Sequence, residues 1–543
     1  EFSGISFGVR ACWGYLCSTR RVVHRAAAPS LLRAMRSMHH LYPLRPKYPQ
    51  HPIHPMKIRS LSAFSSLALL AVSLQAVAAV RYVDAALATG AGTGASWADA
   101  YAGPTSLQTA LAAAVSGDEI WVKAGTYRPS TTGVRTATFT MKSGVAIYGG
   151  FAGTESTLSQ RDWKTNVTIL SGDLLGNDTA TTNFTENSYH VVLGSGAAVT
   201  AILDGFTVRA GYANGATASN QDKGGGILIV SSGAPTVRNC IFTSHRCTFG
   251  GGAGYIFNAQ ATFADCQFND NNGGSYGGAF DTNAVTSTFT RCIFRNNTAA
   301  RAGGVETYGG GNTTYTNCLF AGNRATGSGG GAAIWIGVSN SVVNARNCTF
   351  AGNVATSVAG GVNTTSAGTL NASNCIFWSN SGPTGTTAAN QINAGGGINN
   401  VSWSIVQGGF TGTSNLATDP KFVSPSTGDY TLGTGSSAID SGSNGLVSAG
   451  VTTDLLGAAR FVDIPSVPDT GSGTAPIVDR GAYELASAEL PCLGDLTNNG
   501  IVDGADLGAL LGGWGGSVTG DLDGNGVVNG ADLGMMLGNW GPC

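Results

Sequence analysis

Asn239-Cys240-Ile241-Phe242, Asp265-Cys266-Gln267-Phe268, Arg291-Cys292-Ile293-Phe294, Asn317-Cys318-Leu319-Phe320, Asn347-Cys348-Thr349-Phe350 and Asn374-Cys375-Ile376-Phe377 are six copies of one signature. The first four cysteines stand 26 residues apart, and the next two follow after 30 and 27. A period of that length, built from strand-forming residues, specifies one supersecondary unit stacked on copies of itself. Side chains alternate along a strand, so Cys and Phe two residues apart share a face, and that face is the interior.

Five residues after each cysteine stands an Asn (Asn271, Asn297, Asn323, Asn353, Asn380), with His245 in its place in the first copy. Gly pairs follow at Gly277-Gly278, Gly303-Gly304, Gly330-Gly331 and Gly360-Gly361. The Asn residues read as turn positions tolerant of left-handed dihedrals, and the Gly pairs as sharp corners. Alternation broken by Gly excludes a helical repeat. Three short strands per turn make residues 80–410 an all-β parallel β-helix solenoid with coils about 4.8 Å apart. Leu107 to Val115 reads as a short amphipathic helix covering its N-terminal end.

The cysteine column has two readings. Stacked Cα atoms about 4.8 Å apart fall within disulfide range, so bonds between neighbouring coils are geometrically open. Small buried thiols filling an interior column is the simpler reading. No CxxC or paired His accompanies them, which argues against zinc.

Composition agrees with this architecture. Only 11% of the 543 residues are charged, while Gly alone supplies 81, which excludes coiled coils and helical bundles. A net charge of −2 offers no long-range attraction for nucleic acid. Met56-Lys57-Ile58-Arg59, the apolar run Leu61 to Val77 and Ala76-Val77-Ala78 make residues 56–79 a secretory signal peptide. Residues 1–55 then read as sequence upstream of the true start, outside the fold. The expected destination is secreted, extracellular or at the cell surface, with no membrane span in the mature chain.

From Ile376 onward the chain resembles the choice-of-anchor Q domain of bacterial surface proteins. The matching motifs are Ile376-Phe-Trp-Ser-Asn380, Ser404-Ile-Val-Gln-Gly408, Asp419-Pro-Lys-Phe422, Gly428-Asp-Tyr-Thr-Leu432, Ser437-Ala-Ile-Asp440, Thr453-Asp-Leu-Leu-Gly457 and Asp479-Arg-Gly-Ala-Tyr-Glu484, in the family's order. The resemblance implies a right-handed β-helix whose closing segment, 411–487, precedes an attachment module; it implies no reaction. Asp440, Asp454, Asp479 and Glu484 read as capping or turn residues, with a cation site as the alternative.

Two twelve-residue loops 26 residues apart follow, Asp495 to Asp506 and Asp521 to Asp532. Calcium takes six to eight oxygens, which such a loop offers from alternate positions around a Gly bend. The first set is Asp495, Thr497, Asn499, the Ile501 carbonyl, Asp503 and Asp506. The second is Asp521, Asp523, Asn525, the Val527 carbonyl, Asn529 and Asp532. Thr497 is a weaker donor than Asp, so the first site is expected to be the weaker. Each loop leads into a helix with an apolar stripe, Leu507, Leu510, Leu511, Trp514 and then Leu533, Met536, Leu537, Trp540. Residues 492–543 therefore resemble a type I dockerin, a small α-helical calcium-loop domain, with Ca2+ as the cofactor. Gly504-Ala505 and Gly530-Ala531 replace the Ser/Thr-type recognition residues that usually meet a cohesin, so the surface partner is cohesin-like or another anchor. Cys492 and Cys543 bracket the module as in cysteine-flanked dockerin-like anchors. In an exported chain they are expected to pair, closing a loop worth about 3–4 kcal/mol.

Two functions follow. One is a surface or extracellular β-helix protein that binds glycans or other surface ligands and is held by its calcium module. The alternative is a polysaccharide lyase or glycoside hydrolase on the same scaffold. The charged residues Asp265, Asp270, Asp281, Arg291, Arg295, Arg301 and Glu306 spread over neighbouring coils. Aligned on the Gly pairs, Glu306 stacks with Phe280 and points away from Asp281, so no acid pair is expected. A groove of carboxylates, Arg and aromatics on one face favours the second function; Asn, Thr and Ser faces favour the first.

Overall fold

The computed structural model describes residues 78–179, 181–337, 340–485, 493–497, 499, 501–516 and 520–542. The upstream segment, the signal peptide up to Val77, and the Cys492–Cys543 pair lie outside the described residues. Three long parallel sheets of 12, 10 and 9 strands run the length of the solenoid. Face one holds the strands before each cysteine, such as Gln260–Ala264 and Thr286–Thr290; face two holds those after it, such as Gln267–Asn269 and Ile293–Arg295. Face three follows the Gly pairs, with Phe280–Asn283 and Val305–Tyr308. The helix Ser106–Ala113 buries Leu107, Ala110 and Leu111 against the first coils.

In-register pairing builds interior columns. Phe242, Phe268, Phe294, Phe320, Phe350 and Phe377 lie in one row across face two. Their rings stack, with centroids 4.5 Å apart at Phe294–Phe320 and 4.6 Å at Phe350–Phe377. The six cysteines sit at the corner between faces one and two, buried and free. Each thiol lies within reach of two carbonyls: Cys292 Sγ is 3.4 Å from Thr290 O and 3.7 Å from Phe263 O. Where the column ends, Ser404 takes the same place, donating to Ser402 O at 2.8 Å.

The asparagines differ from the turn role expected of them. The left-handed residues are those just before, Ser244, Asp270, Asn296, Gly322, Gly352 and Ser379. The Asn residues themselves are buried and form a ladder. Asn297 Oδ1 accepts both the backbone N–H of Asn271 (3.0 Å) and its Nδ2 (2.9 Å). The Asn297 Nδ2 then donates to Asn323 Oδ1 (3.0 Å) and to Phe268 O (2.8 Å). His245 begins the ladder, its Nδ1 accepting from Gly211 N–H and its Nε2 donating to Val208 O. Burial lowers its pKa to about 3, so the ring stays neutral. Gln391 ends it, Oε1 accepting from Asn380 Nδ2 at 2.8 Å.

Gly pairs serve close approach. A Cβ on Gly278 would lie 2.0 Å from Gly303 O, and one on Gly361 2.0 Å from Gln391 O.

Residues 411–485 add no strand to the long sheets. They run back along the side of the last coils. Asn317 and Asn374, each just before a cysteine, donate their Nδ2 to Thr453 O (2.6 Å) and Ser443 O (2.9 Å). The outer side of face two turns apolar beneath them: Leu319, Ala321, Ala351 and Ile376 pack against Tyr430, Leu432, Leu455, Ile464 and Tyr483.

Around residues 493–542, helices Gly504–Gly512 and Gly530–Gly538 bury Leu510 and Met536 with Val502 and Val528. The stripe is narrower than expected. Leu511, Trp514, Leu537 and Trp540 are all about half exposed (51, 50, 53 and 49%). No helix among the described residues is long and apolar enough to cross a membrane.

Asn323→Ala leaves the Asn297 N–H and Nδ2, the Phe294 carbonyl and Asn353 Oδ1 short of partners. At ~1–3 kcal/mol for each buried group left unsatisfied, the expected loss is about 4 kcal/mol or more. Thermal unfolding of this variant against Thr288→Ala, on an exposed position of face one, measures it.

Candidate functional site

The seven charged residues of the sequence reading do not form one site. Asp265 and Arg291 pair with each other across adjacent coils, at 2.6 and 2.8 Å. Arg295 donates to Gly428 O at 2.8 Å, tying the closing segment to face two. Asp270 lines a cleft described below.

Asp281, Arg301 and Glu306 do come together, which corrects the expected alignment. Asp281 pairs with Glu306, not Phe280 with Glu306, because Gly278 stands level with Gly303, the first glycine of the next pair. The two carboxylates thus lie side by side on face three, both fully buried. Arg301 grips Glu306 with Nε (3.0 Å) and Nη2, and stacks on Tyr276 (4.3 Å) and Trp335 (3.9 Å). Neither oxygen of Asp281 has a hydrogen-bond partner. Burial and then the Glu306 charge push the Asp281 pKa well up, while Arg301 and Lys223 act against this. Glu306 is also raised by burial, and Arg301 pulls it back. Both carboxyls are thus biased toward the protonated form, Asp281 the more strongly.

A second constellation escaped the sequence reading. After the strand Thr168–Ser171 the chain leaves the coil and rejoins it at Val192–Leu193. Arg135 clamps the returning end, with Nε on Asn187 O (2.7 Å) and Nη2 on Tyr212 O (2.8 Å). Arg128 Nε holds Asp173 O at 2.8 Å. This excursion carries Asp173, Asp178 and Glu186, and one carboxylate oxygen from each lies within 4.8 Å of the others. Asp173 caps its own loop, accepting from Gly176 N–H (2.7 Å) and Asn177 N–H (3.1 Å). Asp178 accepts from Asn187 Nδ2 at 2.8 Å. Asp178 Oδ1, Glu186 Oε1 and the Oδ1 of Asn187, itself 1% exposed, are buried with no partner. Burial raises the Asp178 pKa to about 6, with Asp173 and Glu186 adding to the shift and Asn187 and Arg209 opposing it.

The excursion walls a cleft of about 540 Å³ over the corner that follows face two, a size suited to a few sugar rings or a small ligand. Its floor carries Arg209, Arg246 and Asp270, and Arg246 lies 4.2 Å over the Phe184 ring. Neither arginine side chain makes a hydrogen bond or ion pair with the described residues. The available signal was the interrupted period, since inserts in a solenoid gather on one face.

In the C-terminal loops, carboxylate oxygens of Asp521, Asp523 and Asp532 lie within 4.8 Å of one another. Asp532 also accepts from Leu522, Asp523 and Asn529 N–H, which fixes its orientation at the helix start. Asn525 and Asn529 flank this set, and the Val527 carbonyl accepts from Asn529 Nδ2. In the first loop Thr497 Oγ1 donates to Asp506 Oδ1 at 2.9 Å, and Asp503 caps the helix through Ala505 N–H. Asn499 N–H bonds Asp495, and Ile501 N–H bonds Asn499. The second donor set fits a hard cation; in the first, Thr497 stands where the second has Asp523, and Asp503 is spent on its helix cap.

The family model for the right-handed β-helix region matches residues 182–346 and 225–411, and the core is a right-handed parallel β-helix. No curated protein matches the chain. Among solved structures, the crystal structure of pectate lyase Pel9A is similar at 14% identity and a TM-score of 0.43, over 76% of this chain and 97% of that one. Nothing about the chemistry of this chain follows from that likeness.

The raised pKa of Asp281 has a pH consequence. Its folded pKa stands above the unfolded value of 3.8, so its contribution is complete below that value and is lost as pH rises toward the folded pKa. Asp281→Asn removes the loss. The variant and the parent are expected to melt alike near pH ~3, with the variant gaining up to about 1.4 kcal/mol per pH unit above it. Melting curves across pH test this.

Proposed function

We propose that the chain is an exported β-helix protein that binds an anionic, uronate-bearing polysaccharide in the cleft beneath the 173–188 excursion. The orphaned oxygen of Asp178, on the wall of a cleft whose floor carries Arg209 and Arg246, carries this reading, with a Glu186 oxygen close behind it. Asp173, Asp178 and Glu186 supply hard oxygen donors for a divalent cation. A cation there would turn an acidic wall into a surface for sugar carboxylates, and the arginines would grip the same groups as charge-assisted donors. The signal-peptide pattern supports export. The paired C-terminal loops support attachment through a dockerin-like module with two calcium sites, the partner being cohesin-like or another surface anchor.

A second reading is favoured by the same cleft: cleavage by β-elimination, with Arg209 or Arg246 removing the proton beside the uronate carboxylate. An arginine is a poor base, since its proton is lost only far above neutral pH. Binding without cleavage is therefore the better-supported function.

Polygalacturonate or alginate should retard the protein in affinity electrophoresis with calcium present, whereas dextran should not. EDTA, or Asp178→Asn with Glu186→Gln, should weaken binding at least ~10-fold, in line with ~1.4 kcal/mol or more lost. Equal retention by neutral and acidic polymers would sink the proposal, and release of unsaturated uronates would replace it with the lyase reading.

For the module, calcium should slow chymotryptic cleavage after Trp514 and Trp540 at least ~10-fold. Asp521→Asn with Asp532→Asn should abolish that protection. A cleavage rate indifferent to calcium refutes the calcium loops.

A further inference from the structure

The acidic residues of the closing segment divide into two kinds. Asp454, Asp479 and Glu484 are capping groups with their oxygens occupied. Asp454 Oδ1 accepts from Leu456 and Ala458 N–H, both at 2.9 Å. Asp479 accepts from Asp440 N–H (2.7 Å) and Leu485 N–H (2.8 Å). Glu484 accepts from Val462 N–H (3.2 Å) and Asp479 N–H (3.1 Å) and lies 3.7 Å from Arg460.

Asp440 is of the other kind. It is fully buried, its Oδ1 has no partner, and its Oδ2 accepts only a long bond from Ile464 N–H at 3.3 Å. Its carboxylate faces Asp463 and Asp469, and one oxygen from each of the three lies within 4.8 Å of the others. Neither nearby arginine pairs with Asp440, although Arg460 Nε and Nη1 are themselves without a hydrogen-bond partner. Arg460 Nη2 donates to the Asp479 and Gly481 carbonyls, and Arg480 to those of Ser404, Ser414 and Ser441. A buried carboxylate with an unpaired oxygen and two like charges beside it takes up either a proton or a cation, and only a cation also uses the oxygens that Asp463 and Asp469 turn toward it. The surrounding backbone is already tied, since the Asp440 carbonyl accepts from Thr470 and Gly471 N–H.

We infer that Asp440, Asp463 and Asp469 hold a hard divalent cation of the calcium class, which fastens the 463–469 loop to the closing segment. Three carboxylates leave coordination positions for water, as calcium's flexible six-to-eight-oxygen shell requires. Asp463 and Asp469 are exposed and Asp440 is buried, so the loop forms the outer half of the site and closes over the buried ligand. The site is separate from the cleft and from the C-terminal loops, and does not depend on the proposals made for them.

The test is amide hydrogen exchange, resolved to residues 461–471, on the full chain with calcium or with EDTA. Calcium is expected to slow exchange in this segment at least ~10-fold. Asp463→Asn with Asp469→Asn, both at exposed positions that leave the core untouched, should remove that slowing while the solenoid strands keep theirs. Asp440→Asn should do the same if it folds. Exchange in 461–471 that ignores calcium in the parent, or protection that survives the double variant, overturns the site.

Discussion

A parallel β-helix asks one thing of every residue in its coils: compatibility with its counterpart about 4.8 Å away in the next coil. Aromatic rings meet it by stacking, as from Phe294 to Phe320. A buried polar group meets it only if it donates in one direction and accepts in the other. The primary amide does both, which is why asparagine repeats at 271, 297, 323, 353 and 380. His245 and Gln391 stand at the two ends, where a neutral imidazole and a longer amide still fit the pattern. Thiols satisfy the same demand at the corner, donating to carbonyls of their own coil and the one before.

Charge fails the test. Two like charges one coil apart repel by about 3 kcal/mol at an effective dielectric of about 20. The low charged fraction, 11%, follows from this. Where charges do stack they alternate in sign, as in Asp265 with Arg291 and Asp204 with Arg238. Asp281 beside Glu306 is the exception on face three. It is tolerated because Arg301 neutralises Glu306, while burial beside that charge biases Asp281 toward its uncharged form.

The interior columns were legible in the sequence because period, alternation and burial all bear on the same residues, Cys and Phe two apart. The register at the Gly pairs was not. Two adjacent glycines can be matched to the next pair in two ways, and the slip by one residue hid the contact of Asp281 with Glu306. The closing segment left a fainter trace. Residues beside the column phenylalanines change from Gln267, Asn269 and Arg295 to Leu319, Ala321, Ala351 and Ile376, which is a surface becoming an interface. The cleft was invisible for a different reason. Its carboxylates lie in an insert that obeys no period, and its arginines lie on coils that give no hint of what overhangs them.

The same constraint says where binding chemistry is able to develop. A cation site needs several carboxylates converging from different directions, which stacked coils disfavour. Among the described residues three carboxylate groups are close enough to share a cation: Asp173 with Asp178 and Glu186, Asp440 with Asp463 and Asp469, and Asp521 with Asp523 and Asp532. None belongs to the three long sheets. Each sits where the chain has left the coil path, in an excursion, a folded-back segment or a terminal loop. There, no neighbouring copy has to bear the same charge, and the oxygens are free to face one another. The acid pair left within the sheets shows the contrast: Glu306 is already held by an arginine, and burial biases Asp281 away from its charged form.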